Sequence, residues 1–364
     1  MKLKEILSTL ESFAPRSFQE GYDNSGLIVG SEDDIVKKVL FCLDSTEEVV
    51  DEAISIGANL IVAHHPIVFS GLKSLTGKNY IERTILKAIK NAVAIYAIHT
   101  NLDNVSNGVN KELADRIGLE STHILSPKNG LMKKLVFFCP IKNVEEVRTA
   151  IFKAGAGHIG EYDCCAFQLE GEGSFRASEA ANPHVGEKGK VHFETEMRIE
   201  TVVPNHIEKR VVQAMIAAHP YEEVAYDLYD LAMPWSSVGS GLWGQLSKPM
   251  NAEDFLTLLK EKLNVSCIRH TALVKNQIET VALCGGSGSF LLNAAKSVKA
   301  DVFVTADFKY HQFFDAENDI IIADVGHYES EQFTPNLLSR FLKEKHSDLN
   351  CVITEVNTNP VKYF

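Results

Sequence analysis

The sequence lacks the features that would place it among membrane, secreted or disulfide-stabilised proteins. In 364 residues there is no apolar run of about 18 residues, so we expect no membrane-spanning segment. The first residues contain no apolar core of a signal peptide. None of the 7 cysteines forms a Cys-x-x-Cys pair. These absences predict a cytoplasmic protein with reduced thiols.

Positive charge is also scarce. The chain has 36 Lys and Arg residues against 48 Asp and Glu residues, which gives a formal net charge of −12. Proteins that bind nucleic acids in general need clustered basic residues to contact phosphates. The composition therefore argues against a general nucleic-acid binder.

Short apolar runs alternate with amphipathic stretches in both outer parts of the chain. Residues 42–65 align with residues 284–307 without a gap, at an offset of 242 (284 − 42) that pairs Cys42 with Cys284 and His65 with Asp307. Buried strands between helices are typical of parallel or mixed sheets. The pattern predicts an α/β protein whose two similar βα halves form one mixed-sheet core domain, residues 1–125 plus 233–364. The alternative is that any two βαβ units look alike.

The middle of the chain, residues 126–232, has a different pattern. Strands are predicted at 133–139, 163–169, 191–202 and 223–231, and helices at 144–154 and 207–219. This β-α-β-β-α-β order predicts an inserted ferredoxin-like α+β domain. Residues 170–189 are rich in Gly, Ser and Glu, and indicate a long hairpin loop or flap.

Polar residues follow three of the predicted strands at their carboxyl ends, where open α/β sheets bind ligands. His64 and His65 follow residues 60–63, and Asp103 follows the strand 93–98; His327 and Glu331 follow the strand 320–325 with helical spacing. A lone histidine at a strand end is often structural, and Asp103 could instead cap a helix. Together, however, three imidazoles and two carboxylates suit Zn, Fe or Mn, and exceed what one catalytic ion needs. The set predicts two divalent ions per chain, which can activate a shared water and polarise a substrate.

Further polar residues have weaker patterns. Gly285, Gly286 and Ser287 lie between a strand and a helix, where backbone amides can bind an anion. His99, Asp307 and His311 also follow strands and are candidates to orient a metal ligand, with a structural role as the alternative. No residue is identified as the catalytic acid or base.

Motifs in both outer segments resemble the GTP cyclohydrolase type 2 homologues, the Nif-three-like family of dinuclear-metal hexameric proteins. The matching runs are Asp23–Leu27, His64–Pro66, His99–Asp103, Thr305–His311 and Gly326–Glu331. The resemblance implies that His64 and Asp103 bind one ion, His65 and His327 the other, and that Glu331 bridges them.

The resemblance also implies an assembly and an activity. Family members form a toroidal homohexamer, and the insert is similar to PII or CutA-type domains. The implied activity is GTP cyclohydrolase, which converts GTP and water to formate and dihydroneopterin triphosphate, with a nucleotide or another small molecule as substrate. The alternative is a non-catalytic protein that handles metal or acts as a regulatory scaffold.

Overall fold

The computed structural model describes residues 1–364 and divides into two compact units. The core unit comprises Met1–Pro127 and Ser237–Phe364, and the inserted unit comprises Lys128–Ser236. None of the helices combines the length and apolar character needed to cross a bilayer.

The elements follow one another in chain order. Up to the insert they are α1 Leu3–Phe13, β1 Gly26–Val29, β2 Lys38–Asp44, α2 Glu47–Ile56, β3 Leu60–His65, α3 Tyr80–Lys90, β4 Ala94–Ala97, α4 Thr100–Asp103, α5 Val109–Ile117 and β5 Leu119–Lys128. The inserted unit contains β6 Met132–Pro140, α6 Val144–Lys153, β7 Ala166–Arg176, β8 Val191–Pro204, α7 Glu208–Ala218 and β9 Tyr226–Asp230. The remaining elements are β10 Trp235–Asn251, α8 Ala252–Lys262, β11 Arg269–His270, β12 Gln277–Ser287, α9 Leu292–Ser297, β13 Val302–Ala306, β14 Ile321–Asp324, α10 His327–Glu331, α11 Thr334–Lys345 and β15 Asn350–Ile353.

The core unit confirms the predicted mixed α/β class but differs from the prediction in its number of sheets. Instead of one sheet it has two, with strand orders β1-β4-β3-β2-β15 and β11-β14-β13-β12-β10-β5. Each half of the core unit contributes its last strand to the sheet of the other half: β5 lies in the second sheet and β15 in the first. The sequence pattern does not report such pairing, because it joins segments that are distant along the chain.

The two sheets nevertheless have equivalent centres. In the first sheet the parallel strands β2, β3 and β4 are followed by the antiparallel strand β1 at the edge, and in the second the parallel strands β12, β13 and β14 are followed by the antiparallel strand β11. Leu40 faces Ile61 between β2 and β3, and Ala282 faces Phe303 between β12 and β13, which is the same register shifted by 242 (282 − 40). The gap-free alignment therefore corresponds to equivalent structural positions.

Local sequence signals determine where helix α2 begins and ends and where strand β3 begins. The Thr46 hydroxyl accepts a hydrogen bond from the amide of Val49 at the start of α2, and Gly57 ends this helix in the left-handed conformation. The chain then enters β3, whose first five residues are buried because helices cover both faces of the sheet. This arrangement places His64 and His65 at the carboxyl end of a rigid, buried strand.

The inserted unit has the element order β-α-β-β-α-β, and its antiparallel sheet has the order β7-β8-β6-β9. Its core is formed by residues such as Leu135, Phe137, Ile199 and Met215. The predicted loop 170–189 is too long, because β7 pairs with β8 as far as Arg176 opposite Val191. These strand residues are mostly exposed, so the apolar alternation that normally marks a strand is absent.

Candidate metal centre

Five predicted side chains converge at the carboxyl ends of strands in the core unit. His64 and His65 end β3, Asp103 ends the short helix α4 after β4, and α10 after β14 carries His327 and Glu331. Ring nitrogens and carboxylate oxygens of these residues form two groups within which all ligand atoms lie within 4.8 Å of one another. One group is His65, His327 and Glu331; the other is His64, Asp103 and Glu331.

The first group is closely packed around one oxygen of Glu331. Oε2 lies 3.0 Å from Nε2 of His65 and 3.1 Å from Nε2 of His327, and these two nitrogens are 3.3 Å apart. Ligands of a tetrahedral ion with metal–nitrogen bonds of about 2.0–2.1 Å are separated by roughly 3.3 Å. The three atoms thus have the spacing that such an ion requires.

The second group is more open and contains polar atoms without partners. Nε2 of His64 lies 3.5 Å from Oδ1 of Asp103 and 3.8 Å from Oε1 of Glu331. Both Nε2 of His64 and Oδ1 of Asp103 are buried without any hydrogen-bond partner. Buried polar atoms are almost always satisfied in native proteins. A divalent cation between these atoms would satisfy both, so the residues fit a metal ion.

The electrostatics of the two acidic ligands also favour a cation. Burial, and then the charge of Glu331, raise the pKa of Asp103 to about 7. Burial opposes ionisation of Glu331 as well, but His327 and the other imidazoles hold its pKa well below the usual range. A cation beside Asp103 would offset the repulsion between the carboxylates of Asp103 and Glu331.

Each of the three imidazoles among these five side chains is held through Nδ1, the ring nitrogen that does not face the ligand groups. Nδ1 of His64 lies 2.9 Å from the carbonyl oxygen of Ile98, and Nδ1 of His65 lies 2.8 Å from Oδ1 of Asp44. Such partners fix the ring and direct the opposite nitrogen toward a metal. Asp44 is a residue that the sequence analysis missed. The sequence did contain a signal for Asp44, because this residue follows an apolar run at the carboxyl end of β2; in the structure it lies directly beside His65.

Asp307, which the sequence analysis considered as a residue that orients a ligand, contacts His327 in the same manner as Asp44 contacts His65. Oδ2 of Asp307 lies 2.7 Å from Nδ1 of His327, and this hydrogen bond lowers the pKa of Asp307. Burial alone would lower the pKa of His327, but Glu331 and Asp307 raise it to about 11. In the same way, Asp44 and Glu331 outweigh burial and raise the pKa of His65 to about 10. These carboxylates therefore favour a positive charge, either a proton or a cation, on the Nε2 side of the two rings.

His99 lies beside the two groups. Its ring makes edge contacts with those of His64 and His65, at centroid distances of 5.2 and 5.3 Å, and its Nδ1 lies 2.8 Å from Oδ1 of Asp23. The Asp23 carboxylate also accepts hydrogen bonds from the amide and hydroxyl of Thr100. Asp23, in the run Asp23–Leu27, therefore holds the start of the segment His99–Asp103 in place.

The glycine-rich turn has a role other than the expected anion binding. The amide of Gly285 donates to Oδ1 of Asn110, and that of Gly286 donates to the hydroxyl of Ser330, each at 2.9 Å. These amides are therefore not free to hold an anion with Ser287. Gly286 has a φ of 60°, and a β-carbon there would collide with Oε1 of Glu331. The glycines make room for the carboxylate, which the sequence pattern alone does not reveal.

His311 does not orient a metal ligand. It lies on a 3₁₀ turn, Tyr310–Ala316, with its ring exposed and in contact with Tyr310 and Phe314. It is not among the residues that line the cavity above the two groups. The short turn after β13 directs the ring away from the strand ends.

A cavity of about 1190 Å³ opens above the two groups. Its lining includes the cationic residues Lys73 and Arg269 and the aromatic residues Tyr22, Phe69 and Phe290. The chain segment after β15 also lines it: the hydroxyl of Thr358 donates to Oδ2 of Asp44 at 2.6 Å. The candidate centre therefore lies at the floor of a space large enough for a small-molecule ligand.

Comparisons with known proteins agree over the full length of the chain. A family model described as Duf34/NIF3 (NGG1p interacting factor 3) matches residues 1–360. A protein of Halalkalibacterium halodurans named "GTP cyclohydrolase 1 type 2 homolog" is 40% identical over 363 residues, 98% of either chain. A Bacillus subtilis protein of the same name is 38% identical over 365 residues, covering 99% of this chain and 98% of its own.

Solved structures agree with this similarity. The crystal structure of a Bacillus cereus protein related to NIF3 has a TM-score of 0.89 and 39% sequence identity, and covers 100% of this chain and 99% of its own. A Staphylococcus aureus protein has a TM-score of 0.80 at 31% identity, with the same coverage of both chains. The whole fold of the chain is thus shared with these relatives.

Proposed function

The chain belongs to the Duf34/NIF3 family, and from this premise we propose that it is a metal-dependent hydrolase with two divalent ions per chain. One ion is assigned to His65 and His327, the other to His64 and Asp103, and Glu331 bridges them. The donor atoms suit Zn, Fe or Mn. Each ion would keep open positions toward the cavity, since the five ligands leave both incompletely coordinated.

One observation carries this proposal: the two oxygens of Glu331 face different groups. Oε2 faces His65 and His327 at 3.0 and 3.1 Å, whereas Oε1 faces His64 at 3.8 Å. Because the two oxygens point toward different imidazoles, Glu331 is placed to offer one oxygen to each ion. The divergent contacts therefore favour a bridging ligand between two ions.

The ions would supply Lewis acidity and lower the pKa of a bound water. The protein supplies position and electrostatics. Asp44 and Asp307 hold the rings of His65 and His327 in place, so that both present Nε2 to the ions. The buried floor excludes bulk water around Glu331, whose side chain is 3% exposed, and strengthens its interaction with cations.

We propose a purine nucleotide as the substrate, in line with the GTP cyclohydrolase name that the relatives carry. In this reaction water opens the imidazole ring of guanine and the ring carbon leaves as formate. The cavity volume of about 1190 Å³ accommodates a nucleoside triphosphate. Lys73 and Arg269 would face the phosphates, and aromatic residues of the lining would contact the base.

We also propose that the chain acts as a homohexamer and that the inserted unit is a ferredoxin-like domain of the PII or CutA type. The sequence resemblance supports both statements, and the β-α-β-β-α-β order supports the second. Light scattering of the purified full-length chain tests the assembly, because a mass of six times 40.3 kDa differs clearly from that of smaller oligomers.

The central experiment combines metal analysis with formate release from GTP. We expect two ions per chain and formate production that chelation abolishes and Zn, Fe or Mn restores. Glu331→Gln should lose both the ion pair and turnover. Glu329→Gln is a matched control for metal content, since Glu329 is also buried on α10 but binds Asn359 instead of the imidazoles. Full metal occupancy without turnover on a panel of nucleotides would favour the alternative, a protein that handles metal or acts as a scaffold.

A further inference from the structure

His99 has the same arrangement as the histidines assigned to the ion pair. In His65 and His327, Nδ1 is held by a carboxylate, and Nε2 is directed into the cluster. His99 matches them: its Nδ1 lies 2.8 Å from Oδ1 of Asp23, whose side chain is fully buried. This hydrogen bond leaves Nε2 of His99 as the nitrogen available to a ligand.

The position of His99 is also fixed from several sides. Its ring makes edge contacts with His64, His65 and Phe69, with centroid distances between 5.2 and 5.6 Å. Its backbone amide donates to the side chains of Ser25 and Asn101. A histidine held in this way has little freedom to turn away from the cluster, so its nitrogen is preorganised for binding.

The ring nitrogens of His64, His65 and His99 form a third group within the 4.8 Å limit. This group differs from the other two because it contains no carboxylate. His64, whose Nε2 is completely buried and has no partner, belongs to it as well as to the group with Asp103. Three imidazoles with an open fourth position are a known ligand set for catalytic zinc.

We propose that His99 is a sixth metal ligand, which completes with His64 and His65 a three-imidazole position for a nitrogen-preferring divalent ion. The inference rests on the proposed function in one respect, that the cluster binds divalent ions. Because His64 and His65 also serve the ion pair, the new position competes with the pair. The cluster therefore accepts either one ion on three imidazoles or two ions on five ligands.

The chemical consequence is metal selection. Zn²⁺ and Co²⁺ bind imidazole well, whereas Mn²⁺ prefers carboxylate and carbonyl oxygen. A ligand set with three nitrogens and no carboxylate should therefore bind Zn²⁺ and Co²⁺ tightly and Mn²⁺ only weakly. His99 would raise the preference of the whole centre for nitrogen-preferring ions at low metal supply.

The test uses the full-length protein after chelation, titrated with Co²⁺ and separately with Mn²⁺. Each histidine that binds Co²⁺ while donating its Nδ1 proton gives one solvent-exchangeable, hyperfine-shifted proton resonance. We expect His99→Gln to lose one such resonance at one equivalent of Co²⁺. The ratio of Co²⁺ to Mn²⁺ affinity should fall by about 100-fold or more, because losing a ligand should cost at least as much as losing an orienting partner.

Two further variants keep the result interpretable. His99→Ala repeats the test without an amide oxygen that could bind Co²⁺ itself, and His311→Gln is the control, since this exposed histidine lies outside the cavity lining. Unchanged resonances and an unchanged affinity ratio in both His99 variants would overturn the inference and leave the ion pair intact. If the wild-type protein bound no Co²⁺ at all, the proposed function itself would fail.

Discussion

A β-carbon on Gly286 would collide with Oε1 of Glu331. The two residues lie 45 positions apart (331 − 286), yet the absence of a side chain at one determines whether the other can reach the centre of the cluster. The turn after β12 thus belongs to the metal centre even though it contributes no ligand.

Gly286→Ala should therefore release metal. The substitution carries two penalties: strain from the positive φ of 60°, about 1–2 kcal/mol, and the collision with Glu331. Gly57→Ala carries only the first, because its φ is 70° and no atom lies within 4 Å of the added carbon. We expect both variants to lose stability in denaturant unfolding, Gly286→Ala by more than Gly57→Ala, and only Gly286→Ala to lose metal. Equal metal content in the two variants would contradict this account of the glycine.

Asp44→Asn should weaken binding of the ion assigned to His65. Asp44 holds Nδ1 of this ring, and Thr358 in turn donates to the second oxygen of Asp44. Loss of such a partner typically costs about 10–100-fold in metal affinity. Thr358→Val should have a smaller effect in the same direction. Thr354→Val is the control, because this hydroxyl on the same segment binds Glu52 instead. Competition with a chromophoric chelator measures all three affinities.

Metal binding at pH 7 should release protons. The pKa values of about 10 for His65 and about 11 for His327 mean that both rings are protonated in the metal-free protein, and an ion must displace these protons. Affinity should therefore rise with pH until the pH approaches these values. Calorimetry in buffers of different ionisation enthalpy reports the release. Heats that do not depend on the buffer would show that the rings are neutral before metal binds.

The loop before α3 should detach in acid. The Glu82 carboxylate accepts hydrogen bonds from the amides of Thr76, Gly77 and Lys78, and chiefly the Thr76 amide lowers its pKa to about 2. A lowered pKa gives a stabilisation that is complete above the ordinary value of 4.5 and lost as the pH falls through about 2. The protection of these amides against hydrogen exchange, measured relative to their intrinsic rates at each pH, should fall over that window. Glu82→Gln should show fast exchange already at neutral pH.

Much of the local architecture could be predicted from sequence, because it depends on near neighbours. The cap at Thr46, the helix end at Gly57 and the buried strand before His64 follow from residue types and spacing. The mixed α/β class follows from the alternation of such elements. The division into two sheets and the exchange of β5 and β15 between them did not follow, since these features depend on pairing between strands that are distant along the chain, such as β15 with β2.

The candidate site shows the same boundary. Polar residues at strand ends were found because the position itself is a signal, and the structure brings the five predicted residues together. The role of Gly285 was misjudged, because its amide is satisfied by Asn110, 175 residues earlier in the chain. The outward orientation of His311 depends on a 3₁₀ turn whose direction no periodicity indicates.

The exchange of end strands between the halves has a consequence for the order of biosynthesis. Strand β2 is translated early, but its neighbour β15 begins 306 residues after β2 ends (350 − 44). Until β15 has been made, one edge of the first sheet stays unpaired, and its free backbone groups can pair with another chain and cause aggregation. A ribosome that stalls near residue 345 therefore yields a product that contains every proposed metal ligand, but in which the first sheet lacks its strand β15.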